Sequence, residues 1–84
     1  MYDLAYDNRI EKDLRVVPHA FRRVILERVE QLATEPRRHH VEKMSDMEGY
    51  RLRVGEYRVL FTIDDHRKLV TVYRIRHRRD AYRW

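Results

Sequence analysis

Cysteine is absent from the 84-residue sequence, glycine and proline occur only twice each, and long apolar runs are missing. Without cysteine the chain cannot form a disulfide scaffold, a thiolate zinc site or a cysteine nucleophile, which suits a reducing compartment. Because the sequence has only two glycines, it has no glycine-rich loop of the kind that binds phosphate. No apolar stretch approaches the roughly 18 residues of a membrane span, and residues 1–7 do not resemble a signal peptide. We therefore expect a soluble, cytoplasmic protein that makes no membrane contact.

Lysine is scarce as well, because arginine supplies sixteen of the nineteen cationic side chains. The formal net charge of +5 is unevenly spread: residues 49–84 hold ten basic and four acidic groups, whereas residues 1–48 hold nine and ten. Arginine suits forked contacts with phosphate and stacking on nucleic-acid bases. A nucleic acid or an acidic protein is therefore a candidate partner of the second half. Composition alone gives equal support to the alternative, in which the chain is rich in arginine but binds no such partner.

Alternating and helical patterns of apolar residues predict an α+β fold. The chain is long enough for one core, so we treat residues 1–84 as a single domain. The predicted elements are a strand over residues 1–7, helices over 10–17 and 18–34, a loop over 35–48, and strands over 50–54, 57–63 and 69–76. The resulting order is β-α-α-β-β-β. A helical hairpin packs on one face of a sheet that includes a three-stranded antiparallel meander, and a short C-terminal turn follows.

Turn residues in the second half predict how the strands pair. A two-residue turn at Gly55 and Glu56 places Arg53 opposite Arg58. Alternation then puts the apolar side chains of both strands on the core face, and Arg51, Arg53 and Arg58 on the other face. Direct pairing of two arginines is unfavourable by about 0.2–1 kcal/mol unless an anion lies between them, so we predict a phosphate-binding face. The alternative is a solvated face on which long arginine side chains spread apart.

The last strand is predicted to extend this face. The second turn pairs Asp64 with Leu69. Continued without interruption, this register puts Arg58 opposite Ile75 and brings His77 to the arginine side. The tail beyond adds cations and two aromatic rings to this imidazole, which titrates near neutral pH. Cations, an acid/base and an aromatic ring are the groups needed to cleave RNA through its own 2′-hydroxyl, although a tail tyrosine or tryptophan more commonly packs against a sheet edge.

The other histidines and a pair of acidic residues are weaker candidates. Histidines 19, 39, 40 and 66 lack the spacing of a helical two-ligand motif, so surface histidines are the better interpretation. We predict neither a metal nor a cofactor. Asp64 and Asp65 are much more typical of a turn than of an acid/base pair.

Two segments resemble a known family. Residues 49–61 are similar to the hairpin of the RelE/ParE superfamily of bacterial and archaeal toxins, and residues 76–83 are similar to the terminus of its RelE branch. The helix from Pro18, with Glu35 and Pro36 after it, fits the same plan. The resemblance implies the toxin of a type II toxin–antitoxin system, neutralised in a hetero-oligomer by a cognate antitoxin. The charge of this chain suggests that the antitoxin is acidic.

In the RelE branch, the resemblance implies a ribosome-dependent endoribonuclease, or mRNA interferase. Such a toxin cuts mRNA in the A site without metal by attack of the 2′-hydroxyl, and it thereby inhibits translation. The resemblance further implies that Arg58 holds the scissile phosphate, that Arg78 stabilises the transition state, and that Tyr82 stacks on the substrate. The expected catalytic residues are Arg51, Arg53, Arg58, His77, Arg78 and Tyr82, and the expected RNA contacts are Arg74, Arg76, Arg79 and Arg83.

Arg51 and Arg53 stand where the family often has lysine. Arginine stays protonated and cannot act as a general base, so His77 becomes the preferred proton-transfer group. Cleavage driven by positioning and charge stabilisation alone stays open. Two other functions stay open as well: a ParE-like toxin that inhibits DNA gyrase without catalysis, and an inactive toxin-fold module that binds an antitoxin.

Overall fold

A computed structural model describes residues 1–44 and 49–81, and it confirms the predicted α+β class. The elements in chain order are β1 (Asp3–Tyr6), α1 (Arg9–Arg15), α2 (His19–Gln31), β2 (Val41–Lys43), β3 (Tyr50–Val54), β4 (Tyr57–Asp64), β5 (Leu69–His77) and α3 (Arg78–Ala81). Each predicted helix and strand has a counterpart, and α3 takes the place of the C-terminal turn. None of the helices in the described part of the chain is long and apolar enough to cross a membrane.

Five strands form one mixed sheet in the order β1-β5-β4-β3-β2. β1 runs parallel to β5, and the other neighbouring strands are antiparallel. Two parallel strands need a long crossover connection between them. Here the connection from β1 to β5 starts with the two helices and continues through β2, β3 and β4. The sheet thus places the first strand beside β5, although most of the chain separates them.

β2 lies in the segment predicted to be a loop, and that prediction is wrong for residues 41–43. Glu42 pairs with Arg51, so β2 adds an antiparallel edge strand to β3. A left-handed backbone at His40, with φ of 71°, leads the chain into this strand. Three residues are too few to show the alternation that indicates the longer strands, which is why periodicity did not reveal it.

The core lies between the helices and one face of the sheet. Phe61 of β4 and Ile25 of α2 are fully buried there. The other fully buried large side chains are Val29, Leu32, Leu52, Val59, Val70 and Val72. Burial of each such side chain contributes about 1.5–3 kcal/mol, so the core decides which face of the sheet the helices cover. The opposite face carries arginines of β3, β4 and β5 together with Leu60 of β4.

The β3–β4 hairpin has the predicted register. Arg53 lies opposite Arg58, and Val54 lies opposite Tyr57. Gly55 adopts a φ of +57°, which glycine reaches without strain and which the tight turn requires.

A β-bulge interrupts the pairing of β5 with β4. The predicted register holds along the first four pairs, as far as Phe61 opposite Val72. Leu60, one step further along β4, lies opposite Arg74, so Tyr73 is an extra residue in β5. The register predicted for an uninterrupted strand is therefore wrong beyond this point.

The bulge reverses the faces of the β5 residues that follow it. Ile75 lies opposite Val59 and is buried in the core, so its predicted position on the arginine face is wrong. His77 lies opposite Tyr57, on the same side of the sheet as Ile75, and its predicted face is wrong for the same reason. Because side chains alternate with a period of two, one added residue turns over every later side chain.

Arg37 anchors the segment after α2 to the turn between β4 and β5. Its guanidinium donates to the two carboxylate oxygens of Asp65 at 3.0 and 2.8 Å, and its Nε donates to the Tyr50 hydroxyl at 3.2 Å. The Tyr2 hydroxyl donates to Asp65 at 2.5 Å. Hydrogen bonds from Arg37 and Tyr2 lower the pKa of Asp65 to about 2. These contacts join the residue before β1 to β3 and to the two connecting segments.

Candidate nucleic-acid interface

Three arginines from three adjacent strands lie side by side on the sheet face opposite the core. Arg53 of β3 pairs with Arg58 of β4, and Arg58 pairs with Arg76 of β5. We call these residues the arginine row. The first pair was predicted, and the second results from the bulge. Each direct pair of like charges is unfavourable by about 0.2–1 kcal/mol, so two of them indicate a face suited to binding an anion rather than to maximal stability.

Arg58 is fixed by the turn that precedes it. The residue is only 8% exposed, and its Nη1 donates to the carbonyl oxygens of Gly55 and Tyr57, both at 2.9 Å. Bonds from a charged donor to two carbonyls offset the loss of solvent around the guanidinium. A guanidinium carries five N–H donors, so this anchor is compatible with a further contact to a phosphate. The anchored group can meet such an anion without rearranging.

Glu42 of β2 brings a carboxylate to the same face. Its Oε2 accepts a hydrogen bond from Nη2 of Arg51 at 2.9 Å. This bond and the charge of Arg51 lower the pKa of Glu42, and the charges of Arg53 and Arg58 lower it further. Glu42 is not among the site residues that the sequence predicts, because the sequence does not predict β2. The alternation over residues 41–43 was the available signal, and it was too short to recognise.

His40 lies where β2 begins, beside the arginine row. Its carbonyl oxygen accepts the backbone N–H of Arg53 at 3.0 Å, and its ring lies 4.1 Å from that of His39. Desolvation lowers the pKa of His40, and the charges of His39, Arg28 and Arg53 lower it further. The sequence predicts a surface histidine at this position, since nothing local indicates the neighbouring arginine.

His77 and Arg78 lie at the end of the sheet, away from the arginine row. The His77 ring meets Tyr57 edge-on with 5.4 Å between centroids, and its Nδ1 accepts the backbone N–H of Arg79 at 3.2 Å. Arg78 pairs through Nε with Oε2 of Glu56 at 2.7 Å, and its backbone N–H donates to the Glu56 carbonyl at 2.7 Å. These contacts attach α3 to the β3–β4 turn.

The remaining predicted residues are dispersed. Arg74 donates through Nε and Nη2 to the two carboxylate oxygens of Asp13 at 3.0 and 3.1 Å, and Arg79 is exposed on α3. Tyr82 and Arg83 lie outside the described residues. In the described part of the chain, no three histidine or acidic side chains converge as a metal site requires. The structure brings together a set that we call the cationic face: Arg51, Arg53, Arg58 and Arg76, with Glu42.

A protein-family model matches most of this chain. The model is described as the ParE toxin of type II toxin–antitoxin systems, parDE, and it matches residues 4–82. No curated protein matches the sequence.

Solved toxin–antitoxin structures have a similar fold. A chain of the RelBE2 toxin–antitoxin complex from Mycobacterium tuberculosis is 24% identical, with a TM-score of 0.81 over 90% of this chain and 96% of that one. A chain of the archaeal RelE–RelB complex from Pyrococcus horikoshii is 26% identical, with a TM-score of 0.79 over 92% and 94%. The isolated RelE toxin of E. coli is 21% identical, with a TM-score of 0.77 over 92% and 84%.

Proposed function

Because the chain belongs to the ParE toxin family of type II toxin–antitoxin systems, we propose that it cleaves mRNA on the ribosome through its cationic face. The protein is a toxin, and its partner is a cognate antitoxin. The observation that carries the nuclease proposal is the arginine row, in which three guanidinium-bearing residues lie directly opposite one another on the face away from the helices.

Cleavage of RNA without a metal requires charge stabilisation and two proton transfers. The 2′-oxygen attacks the adjacent phosphorus, its proton passes to a base, and the bond to the 5′-oxygen breaks as that oxygen takes up a proton. Negative charge builds on the phosphoryl oxygens in the transition state, and fixed guanidinium groups stabilise it there most strongly. Arg58, held by the turn, supplies this charge together with Arg53 and Arg76.

We assign the base to Glu42 rather than to His77. Glu42 lies on the cationic face, whereas His77 packs against Tyr57 on the opposite side of the sheet. A phosphate that binds Arg51 replaces the hydrogen bond that lowers the pKa of Glu42, so substrate binding makes the carboxylate a stronger base. The proton-transfer role of His77 stays a prediction that the same assay tests.

Single-turnover cleavage of mRNA on programmed ribosomes tests the proposal. We expect Arg53→Gln and Arg76→Gln each to slow cleavage by about tenfold to a thousandfold, and Glu42→Gln by about a hundredfold or more. Arg23→Gln, on the exposed surface of α2, is the matched control and should cleave normally. Undiminished cleavage by a folded protein that carries both arginine substitutions would overturn the proposal. Loss of cleavage with His77→Ala but not with Glu42→Gln would assign the base to His77.

Inhibition of DNA gyrase without catalysis is the second candidate function. The matching family model is that of the ParE toxin, and the predicted proton-transfer group lies away from the arginine row. Under this alternative, purified protein blocks supercoiling by gyrase, and its expression induces the SOS response without cut mRNA. Under the nuclease proposal, supercoiling is unaffected and mRNA ends accumulate.

An acidic segment of the antitoxin fits the cationic face. Residues 49–84 hold ten basic groups against four acidic ones, and the arginine row concentrates part of this charge. A disordered acidic segment that folds on binding would neutralise the row and exclude RNA. Titration of the purified antitoxin at two salt concentrations tests this, because Arg53→Gln should weaken binding mainly at low salt.

A further inference from the structure

Asp13 lies on α1, outside the cationic face, and it contacts β5 at the bulge. The residue is 9% exposed. Its Oδ2 accepts the backbone N–H of Ile75 at 2.9 Å and Nε of Arg74 at 3.0 Å, while its Oδ1 accepts Nη2 of Arg74 at 3.1 Å. Both partners follow Tyr73, the extra residue of the bulge. One carboxylate therefore binds the main chain and a side chain of the two residues after the bulge.

The open edge of β5 explains why the main chain needs this acceptor. Within the described residues, β1 pairs with β5 only as far as Tyr6 opposite Val72, so the later part of β5 has no strand on that side. The Val72 carbonyl points to this edge, where it accepts the backbone N–H of Asp7. In a regular strand the N–H of Ile75, three residues later, would point to β4 instead. The bulge turns it to the edge, where Asp13 binds it.

We propose that Asp13 is a positioning residue that fixes the register of the arginine row. Two registers are available to the end of β5. In the bulged register Ile75 enters the core and Arg76 lies opposite Arg58. In the regular register Arg76 turns to the core face and Ile75 takes its place opposite Arg58. Burial of Ile75 favours the bulge, and the bonds of Asp13 to the residues after it add to that preference.

A pair of substitutions separates the acceptor role of Asp13 from its charge. Asp13→Asn keeps an oxygen for the Ile75 N–H, whereas Asp13→Ala removes it. In Asp13→Ala we expect weaker cross-strand NOEs between residues 58 and 76 and about tenfold faster exchange of the Ile75 amide, while Asp13→Asn resembles the wild type. Glu11→Ala, on the exposed side of the same helix, is the control. Intact NOEs in Asp13→Ala would overturn the proposal.

The effect on RNA binding rests on the proposed function, and it is measured separately with a labelled single-stranded RNA oligonucleotide at low salt. We expect about tenfold weaker binding by Asp13→Ala and unchanged binding by Asp13→Asn. If the wild type does not cleave mRNA on programmed ribosomes and Asp13→Ala still loses its NOEs, the proposed function fails and the register assignment stands. If binding weakens while the NOEs persist, the register assignment fails.

Deletion of Tyr73 keeps the proposal testable even if Asp13→Ala alone fails to fold. Without the extra residue a regular strand has Arg76 opposite Arg58, so the arginine row no longer depends on Asp13. In this background we expect Asp13→Ala to lower stability but to leave RNA affinity unchanged. A loss of affinity in the deletion background would show that Asp13 acts otherwise and would overturn the proposal.

Discussion

Replacement of Arg53 by threonine is expected to stabilise the protein while it weakens cleavage. Arg53 lies directly opposite Arg58 in an antiparallel pair, and threonine is favoured in strands. Removal of one like-charge pair gains about 0.2–1 kcal/mol. For a domain of this size, that gain raises Tm by about 1–8 °C. A functional residue whose loss stabilises the fold is what an anion-binding row predicts.

The same substitution at two neighbouring arginines should act in the opposite direction. Arg58→Thr removes two like-charge pairs but also two bonds from a charged donor to the turn carbonyls, each worth about 1.5–3 kcal/mol. The net result is a loss of about 1–5 kcal/mol. Arg51→Thr removes the exposed ion pair with Glu42 and should lower stability by about 0–1 kcal/mol. Arg51→Thr is therefore the matched control for Arg53→Thr on the same strand and face.

Thermal and urea unfolding at two salt concentrations measure these differences. Between about 10 mM and about 1 M salt the Debye length falls from about 30 Å to about 3 Å, so the advantage of Arg53→Thr should shrink. A lower unfolding midpoint for Arg53→Thr than for the wild type would refute the reasoning. A gain that persists undiminished at high salt would show that it comes from strand propensity rather than from repulsion within the arginine row.

Three further outcomes concern the turns and the core. The pKa of Asp65 is lowered from 3.8 to about 2 in the fold, so its stabilising contribution is complete above about pH 4 and is lost as the pH falls towards 2. Urea unfolding of Asp65→Asn should therefore depend less on pH in this range, and an unchanged dependence would contradict the assignment. Gly49→Ala should destabilise the protein by about 1–3 kcal/mol, because its φ is +121° and an added Cβ would lie 2.9 Å from the Phe61 carbonyl oxygen. Gly55→Ala meets no atom within 4 Å and should cost only about 1 kcal/mol in unfolding measurements, so equal losses would refute the comparison. Phe61→Ala should lower the free energy of unfolding by about 3–5 kcal/mol, and a loss below about 2 kcal/mol would mean that the core collapses around the cavity.

Two of the three residues of the arginine row could be placed from the sequence. The turn at Gly55 sets the pairing of the two strands that flank it, and alternation then places Arg53 and Arg58 on one face. These are local constraints, since every residue involved lies within a few positions of the turn. The α+β class could also be predicted from the sequence, because the apolar periodicity of the helices and the longer strands is pronounced.

The position of the third residue could not be predicted, because the contact that determines it involves a residue distant in sequence. Arg76 joins the row through the bulge, and the bulge is bound by Asp13, which lies 61 residues before Arg74. Glu42 was missed for a different reason: its strand is three residues long and is defined by its partner, β3, rather than by its own pattern. Both misses concern tertiary contacts that leave little trace in local periodicity.

The pairing of β1 with β5 also sets the order in which the toxin can mature during synthesis. Asp3 pairs with Leu69, so most of this sequence separates the two strands that pair. Such long-range pairing is slow to form, and β4 has only one of its two neighbouring strands until β5 leaves the ribosome. The arginine row, which needs Arg76 of β5 beside Arg58 of β4, is therefore incomplete until β5 has been made.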